Sequence, residues 1–216
     1  MAIRVMLADN HPLILAGASE ALSTERDIQV IGTASSPQAL HSLVAKEHCD
    51  VVATEMHMAV GPSADGFAMI HSLLQNHPSV RIVVLTSCIS GFTVAAMVNV
   101  GVLGILSKTD PAAELAHAIR EAYRGREFIG RTAKEARDAS LLVVRNGENA
   151  NSVTWREAEV VRLWARGLTV GEIARSLSRA VSTVSQQKRS AMRKLGLSND
   201  AALHRFATEH QLNSRP

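Results

Sequence analysis

The chain has 216 residues, 46% of them hydrophobic, which argues against disorder, and only 3% aromatic, so its cores must rest on Val, Leu, Ile, Ala and Met. Two cysteines, Cys49 and Cys88, supply neither a disulfide framework nor metal-type spacing and fit a reduced cytoplasm, and Met1-Ala2-Ile3-Arg4 lacks a signal-peptide layout. The net charge of +3 is uneven: residues 1–150 carry 12 Lys and Arg against 15 Asp and Glu, and residues 151–216 carry 11 against 5, so a small basic unit suited to an anion follows a mildly acidic one.

Five apolar runs, at 3–8, 28–34, 51–54, 82–86 and 103–106, read as buried parallel strands because they are continuous rather than alternating. Helical stretches lie between them. Ser36-Pro37 and Asp110-Pro111 each offer an N-cap followed by proline at the first helical position, and Gly125 closes the last of these helices. The alternation predicts an α/β domain over residues 1–125, with a five-stranded doubly wound parallel sheet covered on both faces. The stretch between Arg81 and Lys108 has no charge and is long enough to span a bilayer, but Thr86, Ser87, Ser90, Gly91, Thr93, Asn99, Gly101 and Gly104 break it, and it reads as strand, helix, strand. Residues 126–152 read as a linker, partly helical up to Arg137 and turn-rich over 145–151.

Residues 153–216 read as an all-α domain of four helices. Thr154-Trp155-Arg156-Glu157 and Thr169-Val170-Gly171-Glu172 are capping boxes that open the first two. The third spans about 181–195, ahead of Gly196, and the fourth about 199–208. Two short helices joined by a tight turn, the second of them basic, form the helix-turn-helix plan. Val184, Ala191 and Leu195 mark an inward face on that basic helix, with Met192 beside them; Ser182, Ser185, Gln186, Lys188, Arg189 and Arg193 are polar. Hydroxyls and Gln near its leading end can reach base edges, and Lys and Arg can neutralise phosphate. The same pattern would also suit a helical bundle with a solvated basic face.

The run Leu163…Gly167-Leu168-Thr169…Glu172-Ile173-Ala174…Leu177, then Thr183-Val184, then Lys194-Leu195-Gly196, resembles the LuxR/NarL-type helix-turn-helix. That resemblance implies double-stranded DNA as partner and a DNA-binding set of Ser182, Thr183, Val184, Ser185, Gln187, Lys188 and Arg189, with Lys194 on phosphate; Val184 thus stands in both the inward face and this set. It also implies a dimer contact through Asn199, Ala202 and Leu203 on the fourth helix. Ala180 replaces the family's capping Ser and Ser182 a Lys, which costs about 1 kcal/mol of local helix stability and one phosphate contact.

In the first domain, the residues just beyond the predicted strand ends are Asp9 and Asn10, Glu55, Thr86 with Ser87, and Lys108. Ligands of open parallel sheets bind at this edge, and an acidic pair, a hydroxyl and a lysine there suit metal-assisted phosphoryl chemistry; an ion pair closing the sheet end would look the same. Residues 3–125 resemble the response-regulator receiver domain. Asp9-Asn10-His11-Pro12 stands at its usual Asp-Asp-His-Pro, Thr86 and Lys108 at its hydroxyl and lysine positions, and Asp65-Gly66 at a loop feature after the third strand.

Three departures from that family carry the main inference. Glu55 replaces the phospho-acceptor Asp, Asn10 an acidic metal ligand, and Ile105 an aromatic switch residue. Glu adds a methylene, about 1.5 Å of reach, which displaces in-line attack on phosphorus. Asn10 removes a charge from the metal site, so no cofactor is expected beyond weakened Mg2+ at Asp9. The expectation is a receiver locked in one state, active ahead of inactive, in which Glu55 would imitate the phosphorylated form with one charge in place of nearly two; the alternative is that partner proteins or dimerisation set activity.

The stretch 91–100 has only Thr93 and Asn99 polar, so it is either deeply covered or a docking patch. The expected assembly is a homodimer, or a heterodimer with another regulator; a histidine kinase or phosphotransfer protein is a further candidate partner. His57 follows Glu55 at the pocket edge and is assigned no role. No Walker loop, zinc signature or Ser/His/Asp set suggests an enzyme. The competing function is an auxiliary protein that acts mainly by pairing with another regulator.

Overall fold

The computed structural model describes residues 2–58, 66–143, 153–210 and 212, with the backbone alone for 140–143. Asp65 and the turn-rich stretch 145–151 lie outside the described residues. Six parallel strands form one sheet in the order β2-β1-β3-β4-β5-β6: β1 (Ile3–Ala8), β2 (Ile28–Ala34), β3 (Val51–Thr54), β4 (Arg81–Thr86), β5 (Gly104–Ser107) and β6 (Phe128–Ile129). Alternate strand residues feed two cores. Val5, Leu7, Ala53, Val83 and Leu106 pack under α1 (Pro12–Ser23) and α5 (Ala112–Tyr123). Met6, Val52, Ile82, Val84 and Ile105 pack under α2 (Pro37–Lys46), α3 (Gly66–Asn76) and α4 (Gly91–Val100).

Two expectations are corrected by the structure. The sheet has a sixth strand, because residues 126–143 are not all linker: β6 pairs with β5, and α6 (Arg131–Val143) packs on α4 and β5. Asp110 does not cap α5, which begins after Pro111 without a side-chain cap; instead its Oδ2 accepts from Ser107 N (2.9 Å) and its Oδ1 from Thr132 Oγ1 (2.5 Å), tying the β5–α5 turn to α6. Of the two readings its sequence left open for the apolar helix α4, the covered one holds: α3, α6 and C-terminal helices lie over it. Ser36 does cap α2, accepting from Ala39 N, and Gly125 does follow α5, at φ 73°, where a side chain would be strained.

The C-terminal domain holds α7 (Trp155–Ala165), α8 (Val170–Ser176), α9 (Val181–Lys194) and α10 (Asp200–Glu209). Both predicted capping boxes are formed, Thr154 with Glu157 and Thr169 with Glu172. Val160, Leu163, Ile173, Ala174 and Val184 make its small core. This domain docks on the receiver-like one: α7 lies against α3 and α4, Asn99 Nδ2 donates to Val153 O (3.0 Å), the Phe92 and Phe206 rings meet edge to face at 5.6 Å, and His71 and Trp155 lie 4.5 Å apart. The apolar cluster runs unbroken from the sheet through Ala158, Val161 and Leu203. Among the described residues no helix is long and apolar enough to cross a membrane.

Candidate functional site

Parallel registers carry the chain ends of β1, β3, β4 and β5 to one edge of the sheet, where Ala8 pairs with Thr54, Thr54 with Val84, and Thr86 with Ser107. Asp9, Glu55, Thr86 and Lys108 therefore converge, as the sequence predicts. Lys108 Nζ sits between Asp9 Oδ2 (2.7 Å) and Glu55 Oε2 (2.8 Å), with both carboxylates buried. The other Glu55 oxygen, Oε1, accepts from the backbone N–H of Met56 (2.7 Å) and His57 (3.1 Å). Burial opposes ionisation of Glu55, but hydrogen bonds from His57, Lys108 and Thr86 outweigh it and hold the carboxyl at about 2. Burial likewise opposes charging of Lys108, yet hydrogen bonds to Asp9 and Glu55 push its pKa up. Thr86 is fully buried, and its Oγ1 accepts from Cys88 N at 3.2 Å.

Two further residues that the resemblance marks sit less deeply in the crevice or beneath it. Asn10 is exposed, and Ile105 is buried in the core cluster on the α2–α4 side of the sheet. The donor set is poor for a divalent cation: Lys108 already neutralises the inward oxygens of Asp9 and Glu55, His11 Nδ1 lies 3.0 Å from the other oxygen of Asp9, and Asn10 brings no charge. Mg2+ does not fit these residues as they stand.

Sequence reasoning gave no role to His57 or Arg162. His57 is buried, with Nδ1 3.5 Å from Glu55 Oε1, and its Nε2 meets Arg162 Nη2. Arg162 belongs to α7, is 2% exposed, and also touches Met56 Sδ (3.9 Å) with its guanidinium 5.5 Å from the Phe67 ring centre. The close approach of α3 shapes this corner: a Cβ on Gly66 would stand 1.8 Å from Met56 O.

On α9, Ser182, Thr183, Gln186, Arg189 and Arg193 are exposed and form one stripe at helical spacing, with Ser185 and Gln187 half-buried at its side. Three residues of the predicted DNA-binding set are otherwise engaged. Val184 is in the core. Lys188 is buried, its ammonium 2.7 Å from Asp200 Oδ1 and 4.5 Å from the Trp164 ring centre, so it faces inward. Lys194 pairs with Glu157 at 2.7 Å. As predicted, Ala180 gives α9 no side-chain cap. In the predicted dimer set, Asn199 is exposed but caps α10 through Ala202 N (2.9 Å), Ala202 is half-buried, and Leu203 is fully buried in the chain's own core. Gln186 and Arg193 enter the exposed stripe although sequence reasoning left them out of the contact set.

Comparison with known proteins agrees with both halves. Residues 5–120 match the response regulator receiver domain, and residues 151–207 match the bacterial regulatory proteins of the luxR family. The chain is 29% identical over 211 residues to the transcriptional regulatory protein RcsB of Escherichia coli K12, covering 98% of this chain and 96% of that one. It is 32% identical over 213 residues to the transcriptional regulatory protein LiaR of Bacillus subtilis 168, covering 97% and 99%. It superposes with a TM-score of 0.78, at 29% identity, on RcsB from Salmonella enterica serovar Typhimurium bound to promoter P1flhDC in the presence of phosphomimetic BeF3-, covering 97% of this chain and all of that one.

Proposed function

Because the chain belongs to the response regulators, with a luxR-family C-terminal domain, we propose that it is a cytoplasmic, sequence-specific DNA-binding transcription regulator whose receiver is set by Glu55 without phosphoryl transfer. The observation that carries this reading is the engagement of both Glu55 oxygens, one by Lys108 and one by two backbone N–H groups. A nucleophile must be free to lie in line with the donor phosphorus, and this carboxylate is longer than the family's Asp and already held. Kept ionised, it is a fixed anion in contact with Lys108 and Thr86, as a phosphoryl group would be, with about half the charge.

On the DNA side, the stripe from Ser182 to Arg193 is the reading surface: Ser182, Thr183 and Gln186 reach base edges, and Arg189 and Arg193 engage guanine or phosphate. The match over both domains to a relative captured on a promoter supports a domain arrangement compatible with DNA. The protein acts as a homodimer, with Asn199 and Ala202 near the two-fold axis. A gel-shift titration of unphosphorylated protein against a selected duplex should survive excess random competitor. Equal competition by random duplex overturns the reading and leaves a partner-dependent auxiliary role.

A further inference from the structure

Resting on the reading that Glu55 sets the receiver, we propose that His57 and Arg162 carry that setting to the DNA-binding domain: Glu55, His57 and Arg162 form one relay of polar contacts that holds α7 against the receiver. Arg162 enters the receiver corner with its guanidinium nearly fully buried, and a cation so placed must be held by specific partners. A guanidinium has only donors, so His57 Nε2, which it meets, must present a lone pair. The proton of the neutral imidazole therefore sits on Nδ1, the atom that faces Glu55 Oε1 at 3.5 Å. The ionised carboxylate is acceptor-only, so it favours the tautomer that Arg162 requires. Glu55 at one end and α7 at the other are thus joined through one imidazole.

The length of the residue at position 55 matters. Glu55 spans from Lys108 Nζ at 2.8 Å to the His57 side at 3.5 Å. An aspartate is shorter by a methylene, about 1.5 Å, and cannot keep both contacts. The side chain that disables phosphoryl transfer is therefore the one that reaches the relay. Met56 Sδ and the Phe67 ring surround the guanidinium, and α3, pressed on Met56 at Gly66, fixes that wall.

The test is small-angle scattering of the full-length chain, with DNA affinity measured in parallel. Arg162→Met, His57→Leu and Glu55→Asp should each raise the radius of gyration as α7 leaves the receiver. His57→Gln, whose amide can accept from Arg162 and donate to Glu55, should stay compact, as should Glu55→Gln, which keeps the length and an acceptor oxygen. Adding Arg162→Met to His57→Leu should bring no further expansion, since both break one link. If His57→Leu fails to fold, the contrast between Glu55→Asp and Glu55→Gln decides alone. A compact Glu55→Asp protein, or equal expansion by His57→Gln and His57→Leu, overturns the relay whatever the DNA result. An expanded Glu55→Asp protein that binds its duplex as tightly as wild type leaves the relay standing and overturns the role of Glu55 in setting activity.

Discussion

Replacing Glu55 by glutamine removes a buried charge while keeping the side chain's length, so its effect on folding isolates what ionisation contributes. In the folded chain the carboxyl is held at about 2, against 4.5 for an ordinary glutamate, because the hydrogen bonds from His57, Lys108 and Thr86 overcome burial. A depressed carboxyl stabilises the fold in full above its unfolded value and loses that contribution as pH falls through the folded one. At roughly 1.4 kcal/mol per pH unit, the difference is on the order of 3 kcal/mol at neutral pH. Little of it is screened, since the side chain is 3% exposed. Urea unfolding of the full chain at pH 7 should therefore show Glu55→Gln less stable by about 2–3 kcal/mol, and the gap should close between about pH 4.5 and pH 2. A gap that is the same at pH 7 and pH 2.5, or absent at both, would refute the charge-based account of the pocket.

Three further outcomes are expected. Arg189→Ala and Arg193→Ala should each weaken duplex binding and reduce the slope of log affinity against log salt by about 0.9 if each holds a phosphate, read by anisotropy across a salt series. Lys188→Ala should instead leave that slope unchanged and cost about 1 kcal/mol of stability, because its ammonium faces Asp200 and Trp164. Ala180→Ser should stabilise α9 by about 1 kcal/mol through the missing N-cap bond, seen as a rise in the melting temperature of the C-terminal domain.

Much of this structure is legible in residue order. Continuous apolar runs place β1, β2 and β3 to the residue, because buried parallel strands leave no alternation to blur the ends. Threonine followed three residues later by glutamate marks the starts of α7 and α8. β6 escapes because two residues, Phe128 and Ile129, are too short a run to signal a strand, and α6 is foreseen only as partial helix up to Arg137 because Ala133 is the only fully buried residue among its described side chains. The burial of Lys188 was available from spacing: it stands four residues after Val184 and three before Ala191, on the inward stripe, while Ser182, Gln186, Arg189 and Arg193 share the opposite one. Its charge outweighed its position. In the pocket, Asp9, Glu55, Thr86 and Lys108 follow from strand ends alone, because parallel registers bring those ends together. Arg162 does not follow, since its contacts are set by the docking of one domain on another, some 105 residues away in sequence from His57.

The claim that Glu55 replaces phosphorylation meets its most direct test in one titration: the dissociation constant of a selected duplex, measured before and after incubation of the protein with acetyl phosphate and Mg2+. An unchanged constant, with no phosphoryl group found on Glu55, is the expected result. Tight binding that appears only after a stoichiometric phosphoryl group has been acquired at that residue would contradict it.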